Sequence, residues 1–306
     1  MTKVLVATVK PFAPAAVEQI KAVFDEANYD CTFFEKYNNQ DELIAAVNDA
    51  DAMIVRSDKI TPEVIQAAKN LKIVVRAGAG FDNVNLEAAT ANNVVVMNTP
   101  GQNSNAVAEL AIGMMVYQAR NHFNGTSGTE LKGKKLGIHA YGHVGKLVAH
   151  IAKGFGMEIF AFDPFIPKSE MEAEGVTVFE NAEELYAHCD YVSLHIPANK
   201  HTVQSINHAL LSKMKKGGCL VNTARKEVIH EADLVRIFEE NSSFKYLSDI
   251  APDNKDVLNE RFEDRCFFTP KKMGAQTAEA NINAGIAAAK QIIAFIDSGD
   301  TTFKVN

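Results

Sequence analysis

Residues 135–163 have the sequence KLGIHAYGHVGKLVAHIAKGFGMEIFAFD. A short apolar run leads into a turn with two glycines, an amphipathic segment follows, and a second apolar run ends at Asp163. Strand, turn, helix, strand and acid in this order are the layout of a dinucleotide-binding βαβ unit. The stretch therefore predicts a Rossmann-like unit whose ligand lies at the turn.

The turn AYGHVG, residues 140–145, departs from the GxGxxG pattern at one position. Gly142 and Gly145 match the second and third glycines, and Ala140 stands at the first. The second glycine lets the backbone approach a pyrophosphate, the third allows close helix–strand packing, and the amides at the helix N-terminus meet the phosphate charge. Alanine can still make this tight turn if its φ is not positive. The predicted cofactor loop is completed by Tyr141, His143 and Val144.

The carboxylate of Asp163 predicts which dinucleotide is bound. It can accept hydrogen bonds from both ribose hydroxyls and would repel a 2′-phosphate, so the sequence favours NAD over NADP. The alternative is a tight βα turn with incidental glycines, in which His143 is an ordinary solvent-exposed residue.

Length and composition limit the classes of protein that fit. The chain has 306 residues, 47% of them hydrophobic and 23% charged, and a net charge of -7. These values are typical of a globular protein of two domains. Net acidity argues against nucleic acid or anionic membranes as partners, and no apolar stretch is long enough to span a membrane. Four scattered cysteines without a CxxC pair predict reduced thiols, no metal site and a cytoplasmic location.

The rest of the chain alternates apolar runs with amphipathic segments. Five short β-branched runs precede residue 98, and six more follow residue 134. Such alternation predicts α/β units with parallel sheets. A long helical stretch rich in Ala and Met spans residues 103–123, and another spans residues 276–299 and closes the chain. The sequence therefore predicts two α/β units joined by a long helix.

Several stretches together resemble the D-2-hydroxyacid dehydrogenase family: VRSDKITPEVI, VVRAGAGFDNVNLEAA, VMNTPGQNSNAVAELAIGMM, GTELKGKKLGI, SLHIPANKHT and LVNTARKEVI. They cover roughly residues 50–285 in the family's order and spacing. The resemblance implies two Rossmann-like domains with parallel sheets. Residues 1–98 and 275–306 would form a flavodoxin-like substrate domain, and residues 99–274 an NAD-binding Rossmann domain. It also implies a homodimer, in which the helix after Asn98 is the dimerisation helix.

Within this family, the stretches are most similar to the phosphoglycerate dehydrogenases. The resemblance implies NAD-dependent oxidation of 3-phospho-D-glycerate to 3-phosphohydroxypyruvate, a step of serine biosynthesis in the cytoplasm. Because the chain ends at Asn306, we expect no C-terminal regulatory domain. Two alternatives stay open: a dehydrogenase or reductase for another small D-2-hydroxy acid, such as glycerate, hydroxypyruvate or glyoxylate, and a catalytically weak NAD-sensing protein.

The resemblance also implies a set of site residues in the second half of the chain. Arg225 in NTARKEV matches the family's catalytic arginine, whose planar fork suits a carboxylate. Asp249 matches an aspartate near the nicotinamide carboxamide. The remaining positions that match cofactor contacts are His195, Ile196, Pro197, Thr202, Asn222, Thr223 and Ala224.

Two catalytic positions depart from the family pattern. The family's Glu-Pro is replaced by the text DIAPDN, in which Asp253 is the nearest carboxylate; an acidic turn residue is the alternative. The family's Pro-His is replaced by PKKMGAQT, which puts Lys272 at the histidine position. The chain resembles a short subgroup of phosphoglycerate dehydrogenases that carries lysine here.

Lys272 can act as the acid/base if its ammonium is disfavoured. An unperturbed lysine pKa of about 10.4 leaves little free amine near neutrality. Burial beside the nicotinamide, with Arg225 and Lys271 nearby, would lower it. Lys271 in the same role and two solvated loop lysines are the alternatives.

Substrate contacts are implied in the first half of the chain. Arg56 and Ser57 match the family's substrate-facing pair, and Arg56 would reach a phosphate group. Ala77 and Gly78 belong to RAGAGFDN, whose backbone amides would form a nest for a carboxylate. Asn103 matches a further substrate contact. Plain loop structure is the alternative for each.

Overall fold

The computed structural model describes residues 1–306. The chain forms two compact units. The first unit comprises residues 1–103 and 276–306, and the second unit comprises residues 104–275. None of the helices combines the length and the hydropathy that a membrane-spanning segment needs.

The first unit is built on a five-stranded parallel sheet with the strand order β2-β1-β3-β4-β5. This order is that of flavodoxin-like folds. Alternate residues of each strand face opposite layers, so that Leu5 and Met53 lie in one buried cluster and Val4 and Ile54 in the other. The strands are β1 Lys3–Thr8, β2 Asp30–Glu35, β3 Ala52–Val55, β4 Ile73–Arg76 and β5 Val95–Asn98.

Five helices cover this sheet. The last helix of the chain returns to the first unit and packs against its first helix, and a Cβ at Gly285 would lie only 2.5 Å from Cδ1 of Ile20. Glycine therefore allows the two helices to approach closely. The helices are α1 Pro14–Glu26, α2 Gln40–Ala46, α3 Pro62–Ala67, α4 Leu86–Ala91 and α12 Ala278–Ser298.

The second unit is built on a seven-stranded parallel sheet with the order β12-β11-β10-β9-β6-β7-β8. The chain runs outward from β6 in one direction and, from β9, in the other. The gap between the carboxyl ends of β6 and β9 is therefore the topological switch point, where open α/β sheets bind ligands. The strands are β6 Lys135–His139, β7 Glu158–Phe162, β8 Thr177–Val178, β9 Tyr191–Leu194, β10 Cys219–Asn222, β11 Lys245–Ser248 and β12 Cys266–Phe268.

Seven helices belong to the second unit, and the first of them is shorter than predicted. It begins at Ser104 and ends at Ala119, and a 3₁₀ turn with positive φ values covers Asn121–Phe123. The helices are α5 Ser104–Ala119, α6 His143–Gly154, α7 Lys168–Ala173, α8 Ala182–His188, α9 His208–Leu211, α10 Glu231–Glu240 and α11 Lys255–Phe262. The predicted fold class, two α/β units with parallel sheets, is confirmed.

Candidate active site

The turn between β6 and α6 has the shape of a phosphate-binding loop. Ala140 has φ +80°, so the expectation that alanine avoids a positive φ is wrong. This conformation costs a residue with a Cβ roughly 1–2 kcal/mol. The N–H of Ala140 is fixed because it donates to the Phe162 carbonyl at 2.9 Å. The sheet thus holds the turn in a conformation that its first residue disfavours.

The two glycines of the turn differ in what surrounds them. A Cβ at Gly142 would have no heavy atom within 4 Å, whereas a Cβ at Gly145 would lie 2.4 Å from the Ala140 carbonyl oxygen. Gly142 is the N-cap of α6, so the open space lies at the positive end of a helix, where a pyrophosphate is stabilised. Gly145 instead allows close packing of α6 on the turn.

Asp163, after β7, fastens the turn. Its Oδ2 accepts the Tyr141 N–H at 2.7 Å, and its Oδ1 accepts the N–H groups of Phe165 and Ile166 at 2.8 and 3.3 Å. The Tyr141 side chain is buried, and its hydroxyl donates to Glu174 at 2.8 Å. Burial, and then Glu174, raises the pKa of Tyr141. Tyr141 is therefore held by protein groups on both its backbone and its side chain.

The other two predicted loop residues have different environments. His143 is exposed in the first turn of α6, and Val144 packs against the buried cluster beneath the sheet. His143 is thus on the solvent side of the loop, and Val144 supports the helix.

A groove of about 350 Å³ opens beside the carboxyl ends of β6 and β9. The loop after β9 forms one wall: Thr202 donates its hydroxyl to the Pro197 carbonyl and accepts the Asn199 N–H at 2.8 Å. Ile196 and Thr202 face the groove, together with His139 and His201. The groove lies at the switch point and is lined by His139, the residue that precedes the phosphate-binding turn, so it fits the dinucleotide that the sequence predicts.

Two histidines lie side by side at these strand ends. The N–H of His195 donates to the His139 carbonyl at 2.9 Å, and Nδ1 of His139 lies 3.2 Å from the Tyr186 hydroxyl oxygen. Burial lowers the pKa of His139 to about 4, although Asp163 and Glu183 act in the opposite direction. Burial, and then His139, lowers the pKa of His195 to about 3. Both imidazoles are therefore neutral at physiological pH.

This pair predicts an acid-sensitive fold. Because both folded-state pKa values lie below the unfolded value of about 6.5, the native state binds fewer protons than the unfolded state below that pH. We expect the free energy of unfolding to have its full value above pH ~6.5 and to fall toward pH ~4, by up to about 1.4 kcal/mol per pH unit for each histidine. The free energy of unfolding by urea should depend less on pH in a His139→Gln/His195→Gln variant than in the wild type. The variant His201→Gln, at an exposed position, should keep the wild-type pH dependence. A double variant with the wild-type slope would contradict this assignment.

The segment after β10 presents the predicted arginine. Asn222 organises it: its side-chain amide donates to the Arg225 carbonyl at 2.9 Å, and its Oδ1 accepts the Ala224 N–H at 3.0 Å. Nη1 of Arg225 donates to the Ala224 carbonyl at 2.9 Å, which uses one of the five guanidinium N–H groups. The Thr223 hydroxyl is buried without a hydrogen-bond partner, as expected of a group that a ligand would satisfy.

The predicted lysines follow β12. Phe268, at the end of β12, is in register with Ser248 of β11, which is in register with Asn222 of β10. Arg225, Asp249 and Lys272 therefore leave three adjacent strands at the same edge of the sheet. Lys271 and Lys272 are both exposed.

Asp249 is nearly fully buried, with 1% of its surface exposed. Its carboxylate accepts the N–H groups of Met273 at 2.7 Å and Gly274 at 2.8 Å. In this structure the carboxylate is bound to the loop that carries the two lysines, a contact that the sequence did not predict.

Asp253 lies on the protein surface. Its carboxylate is 78% exposed and forms an ion pair with Lys226, and its N–H donates to Glu231 at 2.8 Å. The carboxylate that the sequence suggested for the family's glutamate thus has a surface partner. Lys226 and Glu231 lie 27 and 22 residues before Asp253 in the chain, so these contacts could not be predicted from the sequence.

In the first unit, the guanidinium of Arg56 is held by hydrogen bonds to residues of the same unit. Nη1 donates to the carbonyls of Lys10 and Pro11 at 2.9 and 3.0 Å, Nη2 donates to Asn281, and the guanidinium stacks on Phe12 at 4.9 Å. Burial lowers the pKa of Arg56. Three of its five N–H groups are used, so two are left for a ligand.

The loop after β4 contains a cation that the sequence reading missed. Gly78 has φ +147°, and a Cβ there would lie 1.6 Å from Nη1 of Arg76. Arg76 also donates Nε–H to the Arg56 carbonyl at 2.9 Å. The Ala77 N–H donates to the Val55 carbonyl at 2.8 Å, so the predicted nest does not include it. The sequence does contain a pattern that could have identified Arg76, because this arginine ends a strand and directly precedes the glycine-rich segment AGAG.

The two other predicted substrate contacts lie on loops of the first unit. Ser57 is exposed in the turn after β3, and Asn103 is half-buried at the end of the loop after β5. Both remain predictions.

Comparison with known proteins identifies close relatives. Residues 105–270 match the family described as D-isomer specific 2-hydroxyacid dehydrogenase, NAD binding domain. The match confirms the predicted resemblance and the predicted cofactor, NAD.

The individual relatives are named for two different activities. D-3-phosphoglycerate dehydrogenase of Methanocaldococcus jannaschii is 36% identical over 83% of this chain and 51% of its own length. This chain thus spans about half the length of that relative. Hydroxypyruvate reductase of Thermotoga maritima is also 36% identical, over 83% of this chain and 87% of its own. A structure of 3-phosphoglycerate dehydrogenase from Entamoeba histolytica with bound NAD+ is 46% identical and superposes with a TM-score of 0.89, covering 100% of this chain and 98% of that one.

Proposed function

This chain belongs to the D-isomer specific 2-hydroxyacid dehydrogenase family, and we propose that it oxidises 3-phospho-D-glycerate to 3-phosphohydroxypyruvate with NAD. The observation that carries the proposal is the register of β10, β11 and β12, which brings Arg225 and Lys272 to one edge of the NAD-binding unit. A 2-hydroxy acid needs a cation for its carboxylate and a base for its hydroxyl proton, and these two residues supply both.

NAD, when bound, supplies the acceptor for the hydride that leaves C2 of the substrate. Gly142 leaves room for its pyrophosphate at the N-terminus of α6, and the groove between β6 and β9 takes the rest of the nucleotide. The Thr223 hydroxyl, which is buried without a hydrogen-bond partner, would gain one from the bound cofactor. The Asp163 carboxylate keeps negative charge beside the ribose, which favours NAD over NADP.

The protein's own residues handle the substrate's charge and proton. Arg225 binds the carboxylate and the oxygen that becomes a carbonyl, through N–H groups other than the one held by Ala224. The neutral amine of Lys272 accepts the hydroxyl proton and becomes an ammonium as the C–H electron pair leaves C2. In the reverse reaction the same ammonium donates its proton to the oxygen of the ketone.

Arg56 and Arg76 are proposed to bind the phosphate. Arg76 lies directly over the Gly78 backbone and Arg56 retains two N–H groups, so this loop concentrates positive charge in an otherwise acidic protein. A second candidate substrate is unphosphorylated glycerate or hydroxypyruvate. The extensive tethering of Arg56 and the similarity to a hydroxypyruvate reductase favour it.

Substrate preference distinguishes the two candidates. Charged hydrogen bonds contribute about 1.5–3 kcal/mol each, so Arg56→Ala should lower kcat/KM for 3-phosphoglycerate by about 10- to 100-fold. We expect less than about a threefold loss with D-glycerate, because that substrate lacks the group Arg56 binds. Asn281→Ala is the control, since it removes a tether of Arg56 and retains the guanidinium. Equal losses on both substrates would contradict phosphate binding and favour the unphosphorylated acid.

A further inference from the structure

We propose that Asp249 is a positioning residue that holds the Lys272 loop in place for proton transfer. The inference rests on the proposed function, because it assigns a purpose to a contact beside the proposed acid/base. It differs from the role implied by family resemblance, in which this aspartate lies near the nicotinamide carboxamide.

The carboxylate of Asp249 accepts two backbone N–H groups of the loop that carries Lys272. Oδ1 accepts the Met273 N–H at 2.7 Å and Oδ2 accepts the Gly274 N–H at 2.8 Å. These are the two residues that directly follow Lys272. Hydrogen bonds from backbone amides to a buried carboxylate are charge-assisted and short, so they fix the backbone on the C-terminal side of the lysine.

Thr269 fixes the other side of the loop. Its hydroxyl oxygen lies 2.7 Å from the Asp249 carbonyl oxygen, 3.1 Å from Oδ1 of Asp249 and 2.8 Å from the Lys271 carbonyl oxygen. Thr269 is buried. The hydroxyl has a single proton to donate, so Thr269 bonds either to Asp249 or to the Lys271 carbonyl and lies between the two, while the carboxylate itself binds the backbone after Lys272, whose side chain is exposed.

Glycine at position 274 is what allows the carboxylate to come so close. A Cβ there would lie 2.9 Å from Oδ2 of Asp249 and 3.2 Å from a methyl group of Val107 in α5. Any side chain would push the loop away from the aspartate.

Asp249 is in turn fixed to the arginine segment. Its N–H donates to the Asn222 carbonyl at 3.0 Å, and the side-chain amide of Asn222 donates to the Arg225 carbonyl. A continuous set of hydrogen bonds thus connects the backbone of Arg225 to the backbone around Lys272. Two charged groups that must act on one substrate need such a fixed spacing, since a displacement of about 1 Å costs on the order of 10²-fold in rate.

The test compares Asp249→Asn with the wild-type protein by three measurements. Asparagine has one acceptor oxygen, and its amide group would face a backbone N–H, so the loop loses at least one bond. We expect amide hydrogen exchange of residues 271–275 to become at least about tenfold faster. We expect kcat to fall by about 100-fold, while Kd for NAD changes less than about threefold, since the carboxylate is bound to the loop.

Two further variants keep the test decisive. Thr269→Val retains the carboxylate and removes only the hydroxyl, so it should give the same pattern with a smaller loss of kcat, and it also covers the case in which Asp249→Asn fails to fold. Asp256→Asn, the same substitution at an exposed position of α11, should match the wild type in all three measurements.

Three outcomes would overturn the inference. Weaker NAD binding with unchanged loop exchange would mean that Asp249 contacts the cofactor instead. Faster exchange with unchanged kcat would mean that the anchor does not serve proton transfer. A wild-type protein that turns over no 2-hydroxy acid would overturn the proposed function, and with it the catalytic purpose of the anchor, while exchange would still show whether Asp249 anchors the loop.

Discussion

Replacing Lys272 with methionine is expected to lower kcat by about 10²–10⁴-fold, the usual contribution of a positioned acid/base. Methionine keeps the length and much of the volume of the side chain and removes the amine. The chain has no histidine after His230, so no neighbouring imidazole follows the lysine in sequence. Stopped-flow or steady-state formation of NADH measures the effect.

The adjacent lysine provides the matched control for this substitution. Lys271→Met removes an equal charge from the same exposed loop, and we expect it to change kcat by less than about tenfold. Titration with NAD should give the same Kd for both variants and the wild type, because neither side chain is placed in the nucleotide groove. A large loss in Lys271→Met with none in Lys272→Met would assign the role to Lys271. If neither variant loses activity, both lysines are surface charges.

Gly145→Ala is expected to have the largest effect on the fold of the nucleotide site. Its Cβ would lie 2.4 Å from the Ala140 carbonyl oxygen and 3.0 Å from Cγ2 of Ile138. Both atoms belong to the strand and turn beneath α6, so the helix must move outward by roughly 1 Å. Overpacking of this kind costs about 1–3 kcal/mol, and the displaced helix should no longer bind NAD measurably.

Gly142→Ala is the matched control, three residues away in the same turn. Its Cβ meets nothing within 4 Å, and its φ of -80° is ordinary for alanine. We therefore expect unchanged or slightly higher stability, by up to about 1 kcal/mol, together with NAD binding weakened by about tenfold or more, because the methyl group occupies the space for the pyrophosphate. Urea unfolding and NAD titration separate the two effects. Equal stability losses in both variants would contradict this interpretation of the turn.

The order of elements was predictable because it depends on local pattern. Apolar runs between amphipathic segments identified the parallel sheets, and the residues from Lys135 to Asp163 identified the nucleotide turn. The conformation of Ala140 was not predictable in this way, since its positive φ follows from how the turn is hydrogen-bonded to Phe162. Local sequence gives the presence of a turn, whereas tertiary contacts decide how much strain it carries.

The partners of charged groups were the least predictable feature of the site. Arg56 is held by Asn281, which lies 225 residues away in the chain, and Asp253 pairs with Lys226 across two loops. The burial of Asp249 under the amides of Met273 and Gly274 depends on the alignment of β11 with β12. These contacts arise only when the sheet brings distant segments together, so residue type and spacing alone cannot specify them.

NAD-dependent oxidation of a phosphorylated 2-hydroxy acid by this chain is measured by the initial rate of NADH formation. The purified protein is mixed with NAD and 3-phospho-D-glycerate at alkaline pH, where the free amine of a lysine is favoured and the released proton is taken up. We expect steady NADH formation that requires Lys272 and that is much slower when NADP replaces NAD. No NADH above the enzyme-free rate with 3-phospho-D-glycerate would contradict the proposal, and NADH formed with D-glycerate alone would favour the unphosphorylated acid as substrate.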